Sequence, residues 1–83
     1  MNNYSSQEKQ ILIAVGLKIK TARLSLNLSQ EELADLCGLH RTYISSTERG
    51  ERNISILNIF KICKSIKIPP HELLEGCYES KLD

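Results

Sequence analysis

The sequence predicts an all-α protein, and three observations carry that reading. Apolar residues recur at helical spacing along most of the chain. Aromatics make up only 5% of it and Trp is absent, which leaves little of the material strands favour. The two prolines stand side by side at Pro69 and Pro70, a pattern that suits a chain of short helices better than a sheet. Eighty-three residues allow a single domain, close to the smallest size at which one apolar core suffices.

The first helix is expected from near Ser6 to about Leu26, because Leu12, Val15, Ile19 and Ala22 recur on one face. Arg23 falls on that same apolar face. Asn27 stands where helices often end in a left-handed residue, and Leu28 is expected to drop into the core. Ser29-Gln30-Glu31-Glu32 reads as a capping box, in which the Ser29 hydroxyl accepts from the Glu32 amide and the Glu32 carboxylate accepts from the Ser29 amide. A second helix therefore starts there, with Leu33, Ala34 and Cys37 as its buried stripe. Gly38 stops it, since glycine takes a positive φ cheaply, and Gly38-Leu39-His40 makes a tight turn.

The third helix is expected from about Arg41 to Arg49, with Ile44 and Glu48 inward and Thr42, Tyr43, Ser46 and Arg49 outward, and Gly50 ends it. After a loop from Glu51 to Ile54, Ser55 caps a fourth helix whose stripe is read as Ile56, Ile59, Phe60, Cys63 and Ile66. Ile68 and the prolines break that helix. Pro70 suits a first-turn position, where a missing N–H does no harm, and opens a fifth helix through Glu72, Leu73 and Leu74 to Gly76.

Composition narrows the classes of function. Cys37, Cys63 and Cys77 lack the two-residue spacing of zinc knuckles and redox centres, so they read as reduced thiols in a cytosolic protein. The longest apolar run, Ile11 to Leu17, is far short of the ~20 residues a membrane span needs, and it has no basic leader or cleavage site. No paired carboxylates, nucleophile with base, phosphate-binding Gly loop or metal cluster occurs at usable spacing, so neither an enzyme nor a cofactor is expected. Net charge is only +1, but it is unevenly placed: +3 over residues 1–26, −3 over 27–39, +4 over 40–68 and −3 over 69–83. A protein that binds DNA with one face needs only that face to be basic.

Helix, glycine turn and helix at this spacing is a helix-turn-helix arrangement, from Ser29 to Asn53. The chemistry of the third helix strengthens the reading. Arg41, Thr42, Tyr43, Ser46 and Arg49 supply donors, acceptors and a methyl group of the sizes that meet base edges and phosphates. The partner this implies is double-stranded DNA, with the third helix in the major groove.

From Val15 to Leu74 the chain resembles the repressor and Cro-like helix-turn-helix regulators, through Ile19 to Arg23, Leu28 to Ala34, Gly38-Leu39, Ile44-Ser45, Glu48-Arg49-Gly50 and the fourth helix. More narrowly, Arg41 to Ser46 with Glu48 to Asn53 is similar to the controller proteins of restriction-modification systems. The resemblance implies a five-helix repressor-like domain in which Gln30 bonds a phosphate. It implies also that Arg41, Thr42 and Tyr43 touch DNA from the first turn of the recognition helix, and that Arg52 and Asn53 do so from the following loop. It places an ion pair at Arg23 and Glu48. Such controllers occupy operators, contact or block RNA polymerase, and activate and then repress their own operon. Thr47 departs from the pattern, since relatives usually carry Ile, Leu or Trp there.

Other residues read more plainly. His40 beside the turn suggests a helix cap or a phosphate neighbour, His71 and Glu72 a solvated first turn, and Lys61, Lys64 and Lys67 a solvated helix face that can also draw DNA. Ile66, Ile68, Leu73, Leu74, Cys77, Tyr78 and Leu82 are more apolar side chains than the end of so small a protein needs, which suggests a homodimer interface, the alternative being that they fold back on the monomer. A two-fold dimer would set two recognition helices roughly 34–36 Å apart and call for an operator with inverted repeats. The alternatives are a phage-type repressor, an antitoxin-like autoregulator, or an adaptor that keeps the fold without touching DNA.

Overall fold

The computed structural model describes residues 3–78. Five helices follow one another: α1 (Ser6–Ser25), α2 (Gln30–Cys37), α3 (Arg41–Glu48), α4 (Ile56–Ile66) and α5 (Pro70–Leu74), with no strand among the described residues. Most starts have a local cause. Ser29 forms the expected capping box with Glu32, and Ser5 forms a second one with Glu8, its hydroxyl accepting from the Glu8 amide at 3.1 Å. Ser55 caps α4 through the Asn58 amide, and Pro70 fills the first turn of α5.

The ends share a device. Asn27, Gly38, Gly50 and Lys67 all take a positive φ, and the residue after each returns its amide to a carbonyl five positions back. The pairs are Leu28 to Arg23, Leu39 to Ala34, Glu51 to Ser46 and Ile68 to Cys63. The fourth helix therefore ends on Lys67, one residue before the expected break at Ile68. Leu28 stays half-buried at the rim instead of entering the core, because its chain turns back to serve α1.

Each helix gives the core one side chain exposed by less than 2%: Ile19, Leu33, Ile44, Ile62 and Leu73. Burying a side chain of this size contributes roughly 1.5–3 kcal/mol. The stripe of α4 runs through Ile59, Ile62, Cys63 and Ile66, which corrects the expected one. Phe60 lies about a quarter-turn off that line at ~100° per residue, and Ile56 sits beyond the cover of the other helices, so both are exposed together with Leu57.

The expected dimer surface is corrected too. Ile66, Leu73 and Cys77 are core residues of the monomer, and Ile68 is half-buried against that core. They face inward because α5 folds back onto α1 and α4. Lys18 of α1 fastens the fold-back by donating to the carbonyl oxygens of Glu72 and Glu75. Leu74 and Tyr78 remain exposed, while Leu82 lies outside the described residues. All three cysteines are free and buried, and burial raises the pKa of each thiol.

Candidate nucleic-acid interface

α2, the Gly38 turn and α3 form the helix-turn-helix, and α3 is held from behind. Arg23 of α1 reaches under it and donates from Nε to Glu48 Oε2 at 2.6 Å and from Nη2 to Glu48 Oε1 at 3.0 Å. Its remaining nitrogen donates to the carbonyl of Leu28 at 2.7 Å. Both side chains are buried, so this is a desolvated, doubly bonded pair whose partners satisfy each other. The backbones of α1 and α3 also meet closely. A Cβ on Gly16 would lie 2.3 Å from the Thr47 carbonyl oxygen, and one on Gly50 would lie 2.6 Å from Ile13 Cα. Thr47 itself is buried, and its hydroxyl has no partner among the described residues.

Gln30 joins the buried pair to the surface. Its side-chain nitrogen donates to Glu48 Oε1 at 3.0 Å, and its oxygen accepts from Arg41 Nη1 at 3.5 Å. The expected phosphate ligand therefore also acts as a brace between the base of α3 and its first exposed arginine. Arg41 and Thr42 are exposed on the first turn of α3, and no acidic residue occupies that turn, unlike the first turns of α1 and α2. The N-terminal dipole of α3 is thus left unopposed by an acid, which suits an anionic partner. His40 holds the N-cap position without a side-chain cap bond.

The other end of α3 differs from expectation. Ser46 faces inward, only 8% exposed, with its hydroxyl against the carbonyls of Thr42 and Tyr43. It points there because serine oxygens readily return to the backbone one helical turn earlier. Tyr43 is half-buried and carries the Arg52 guanidinium 5.0 Å from its ring centroid. Arg49 is exposed but engaged: Nε and Nη2 donate to the Glu51 carboxylate, and Nη1 donates to Ser45 Oγ. The Arg49 hydrogen bond holds the Glu51 carboxyl below its usual pKa. Asn53 is exposed and, with Arg52, Glu51, Tyr43, Ser46 and Tyr4, lines an open cleft of about 430 Å³. No local signal in the sequence links Tyr4 to Arg52 and Asn53, almost fifty positions away.

A short helix braced on one side and offering arginines on the other, joined by a glycine turn to a helix before it, defines a helix-turn-helix protein. The helix-turn-helix family matches residues 19–73, and the chain belongs to that family. Within it, the chain stands among the controllers of restriction-modification systems. It is 52% identical over 66 residues to the control protein C.BamHI of Bacillus amyloliquefaciens, covering 78% of this chain and 82% of that protein. The crystal structure of the restriction-modification controller C.AhdI from Aeromonas hydrophila superposes with a TM-score of 0.73 at 44% identity, over 75% of this chain and 94% of that one. The controller C.Esp1396I, solved as a tetramer in complex with its natural 35 base-pair operator, superposes with a TM-score of 0.72 at 36% identity, over 81% and 88% of the two chains. Among the described residues no helix is long and apolar enough to cross a membrane.

Proposed function

We propose that this protein is a sequence-specific DNA-binding regulator that controls a restriction-modification operon, its own included, by occupying an operator as a dimer. The observation that carries the reading is α3 itself: its base is bonded to α1 through Arg23 and Glu48, while Arg41 and Thr42 stand exposed on its first turn and Arg52 and Asn53 follow in the loop. A reading helix has to be rigid on the side away from DNA and to keep exposed donors on the side toward it. The resemblance to an operator-bound controller supports the same reading.

Dimerisation would place two α3 helices roughly 34–36 Å apart, so each operator half would repeat in inverted orientation. With Ile66, Leu73 and Cys77 committed to the monomer core, we place the contact with a second copy on the exposed Leu74 and Tyr78 together with Ile56, Leu57 and Phe60 of α4, although Leu17, Leu24 and Leu26 of the first helix and its end are exposed as well. Ile68 lies beside Phe60 in a shallow groove near Pro69 and Pro70. The protein acts by occupancy in the cytosol and performs no catalysis. Whether it contacts or blocks RNA polymerase depends on where the operator lies relative to the promoter.

Footprinting on the DNA upstream of the protein's own reading frame tests control of its own operon. The expected result is protection of an inverted repeat near the promoter. Uniform cleavage there, at protein concentrations that protect a selected site elsewhere, would contradict self-regulation.

A further inference from the structure

We infer that Ser46 is a positioning residue for Arg52, and that these two, rather than Arg49, set base discrimination at the C-terminal edge of the reading surface. The inference rests on the DNA-binding reading above. Ser46 is only 8% exposed, and its hydroxyl is taken up by three partners within the protein. Its single proton is directed to the backbone carbonyls of Thr42 at 3.0 Å and Tyr43 at 3.2 Å. The oxygen then has its lone pairs left, and one accepts from Arg52 Nε at 2.7 Å. A hydroxyl that already donates is polarised into a better acceptor, so the two bonds reinforce each other.

The Tyr43 ring holds the same guanidinium across its face. Arg52 is thereby fixed along one edge by Ser46 and over one plane by Tyr43. Its two terminal nitrogens have no hydrogen-bond partner among the described residues. That leaves an end-on fork of donors, the shape that meets guanine O6 and N7 together or a phosphate. A side chain ordered before binding loses less freedom on binding, which favours the contact it is aimed at.

Arg49 is the opposite case. All three of its nitrogens donate within the protein, two of them to Glu51, whose carboxylate offsets the charge. Its two remaining N–H groups sit on nitrogens already tied to Ser45 and Glu51, so it offers DNA a partly neutralised charge where Arg52 offers an untied fork. The resemblance already names Arg52 as a DNA contact while Arg49 enters only as an outward residue of α3, and the arrangement of Ser46, Tyr43 and Glu51 gives that difference a physical cause.

The test measures affinity for a selected operator and for a copy altered at the base pair whose preference Arg52→Ala abolishes. Wild type, Ser46→Ala, Arg52→Ala, the double variant and Arg49→Ala are compared, with thermal melting to verify folding. Arg52→Ala is expected to reduce discrimination about 5- to 150-fold, the range of one bidentate base contact. Ser46→Ala alone is expected to reduce it by about 3- to 10-fold through lost pre-organisation, and to add nothing further once Arg52 is Ala. Ser46→Thr, which keeps the hydroxyl, should restore it. Arg49→Ala should weaken operator and altered operator by the same factor.

An equal loss from Ser46→Ala in both backgrounds, or no loss from it in the wild type, overturns the positioning role. A change of discrimination on Arg49→Ala overturns the separation of the two arginines. If wild type discriminates but Arg52→Ala leaves every preference intact, the inference fails while the DNA-binding reading stands. If wild type selects no operator, both fail.

Discussion

Replacing Arg23 by Met is expected to lower the melting temperature by more than about 12 °C. Removing one partner of a buried, hydrogen-bonded pair costs roughly 3–5 kcal/mol, because the other charge stays desolvated, and a domain of this size loses about 4–8 °C per kcal/mol. Here Glu48 would be left in the interior with only the Gln30 side chain still donating to it. The carboxylate that loses Arg23 also lies at the foot of the brace to Arg41, so operator affinity should fall with stability. Glu48→Gln, made on top of Arg23→Met, should cost little more, since the charge it removes is already unpaired. The check is a double-mutant cycle by thermal or urea unfolding; additive losses would mean that the two side chains do not act as a pair.

Gly16→Ala is the second large effect, and its sign is informative. In an open helix the change would stabilise by about 0.5–1 kcal/mol, because alanine loses less backbone entropy. At this position the added methyl meets the carbonyl oxygens of Thr47 and Glu48, at 2.3 and 2.7 Å. Those atoms belong to the last turn of α3, which cannot move without dragging the Arg23–Glu48 pair with it. Overpacking of this kind costs typically 1–3 kcal/mol and sometimes more. The expected result is a lower melting temperature together with weaker operator binding, because the shift is imposed on the reading helix itself. A rise in melting temperature would show that α1 and α3 do not meet as closely as described.

The contrast between these residues explains what the sequence could tell. Capping boxes, the Gly38 turn and the pairing of Arg23 with Glu48 could be read because each follows from a few neighbouring residues or from a charge falling on an apolar helix face. The Ser5–Glu8 box was equally local, though the start of α1 can be placed near Ser6 without it. Gly16 gave no such signal, since its reason for being glycine is the backbone of another helix. Ile66, Leu73 and Cys77 look surplus in the sequence for the same cause: the number of apolar residues is visible, but nothing local decides between an interface and a fold-back of α5 onto α1, which Lys18 secures. Lys67 takes the left-handed position at which a glycine or asparagine would have announced the end of α4.

Within the reading surface, residue types were legible and their orientations were not. The first turn of α3 could be read because Arg41 and Thr42 have no competing partner role in the core. Ser46 sits only four residues further along, yet its face turns inward, and this converts an expected DNA contact into support for Arg52. Arg49 and Arg52 are alike by residue type, and only the resemblance favours Arg52; the structure supplies the reason. Glu51 lies two residues from the first and binds it, and the Tyr43 ring lies under the second.

The central claim, that this chain reads a specific DNA sequence as a dimer, is tested most directly by selecting binding sites from random duplex DNA and titrating the selected site with salt. The account predicts an inverted repeat whose half-site centres lie about 10 base pairs or a multiple apart, and an affinity that falls steeply and log-linearly as salt rises. Recovery of no common sequence, or an affinity indifferent to salt, would contradict it.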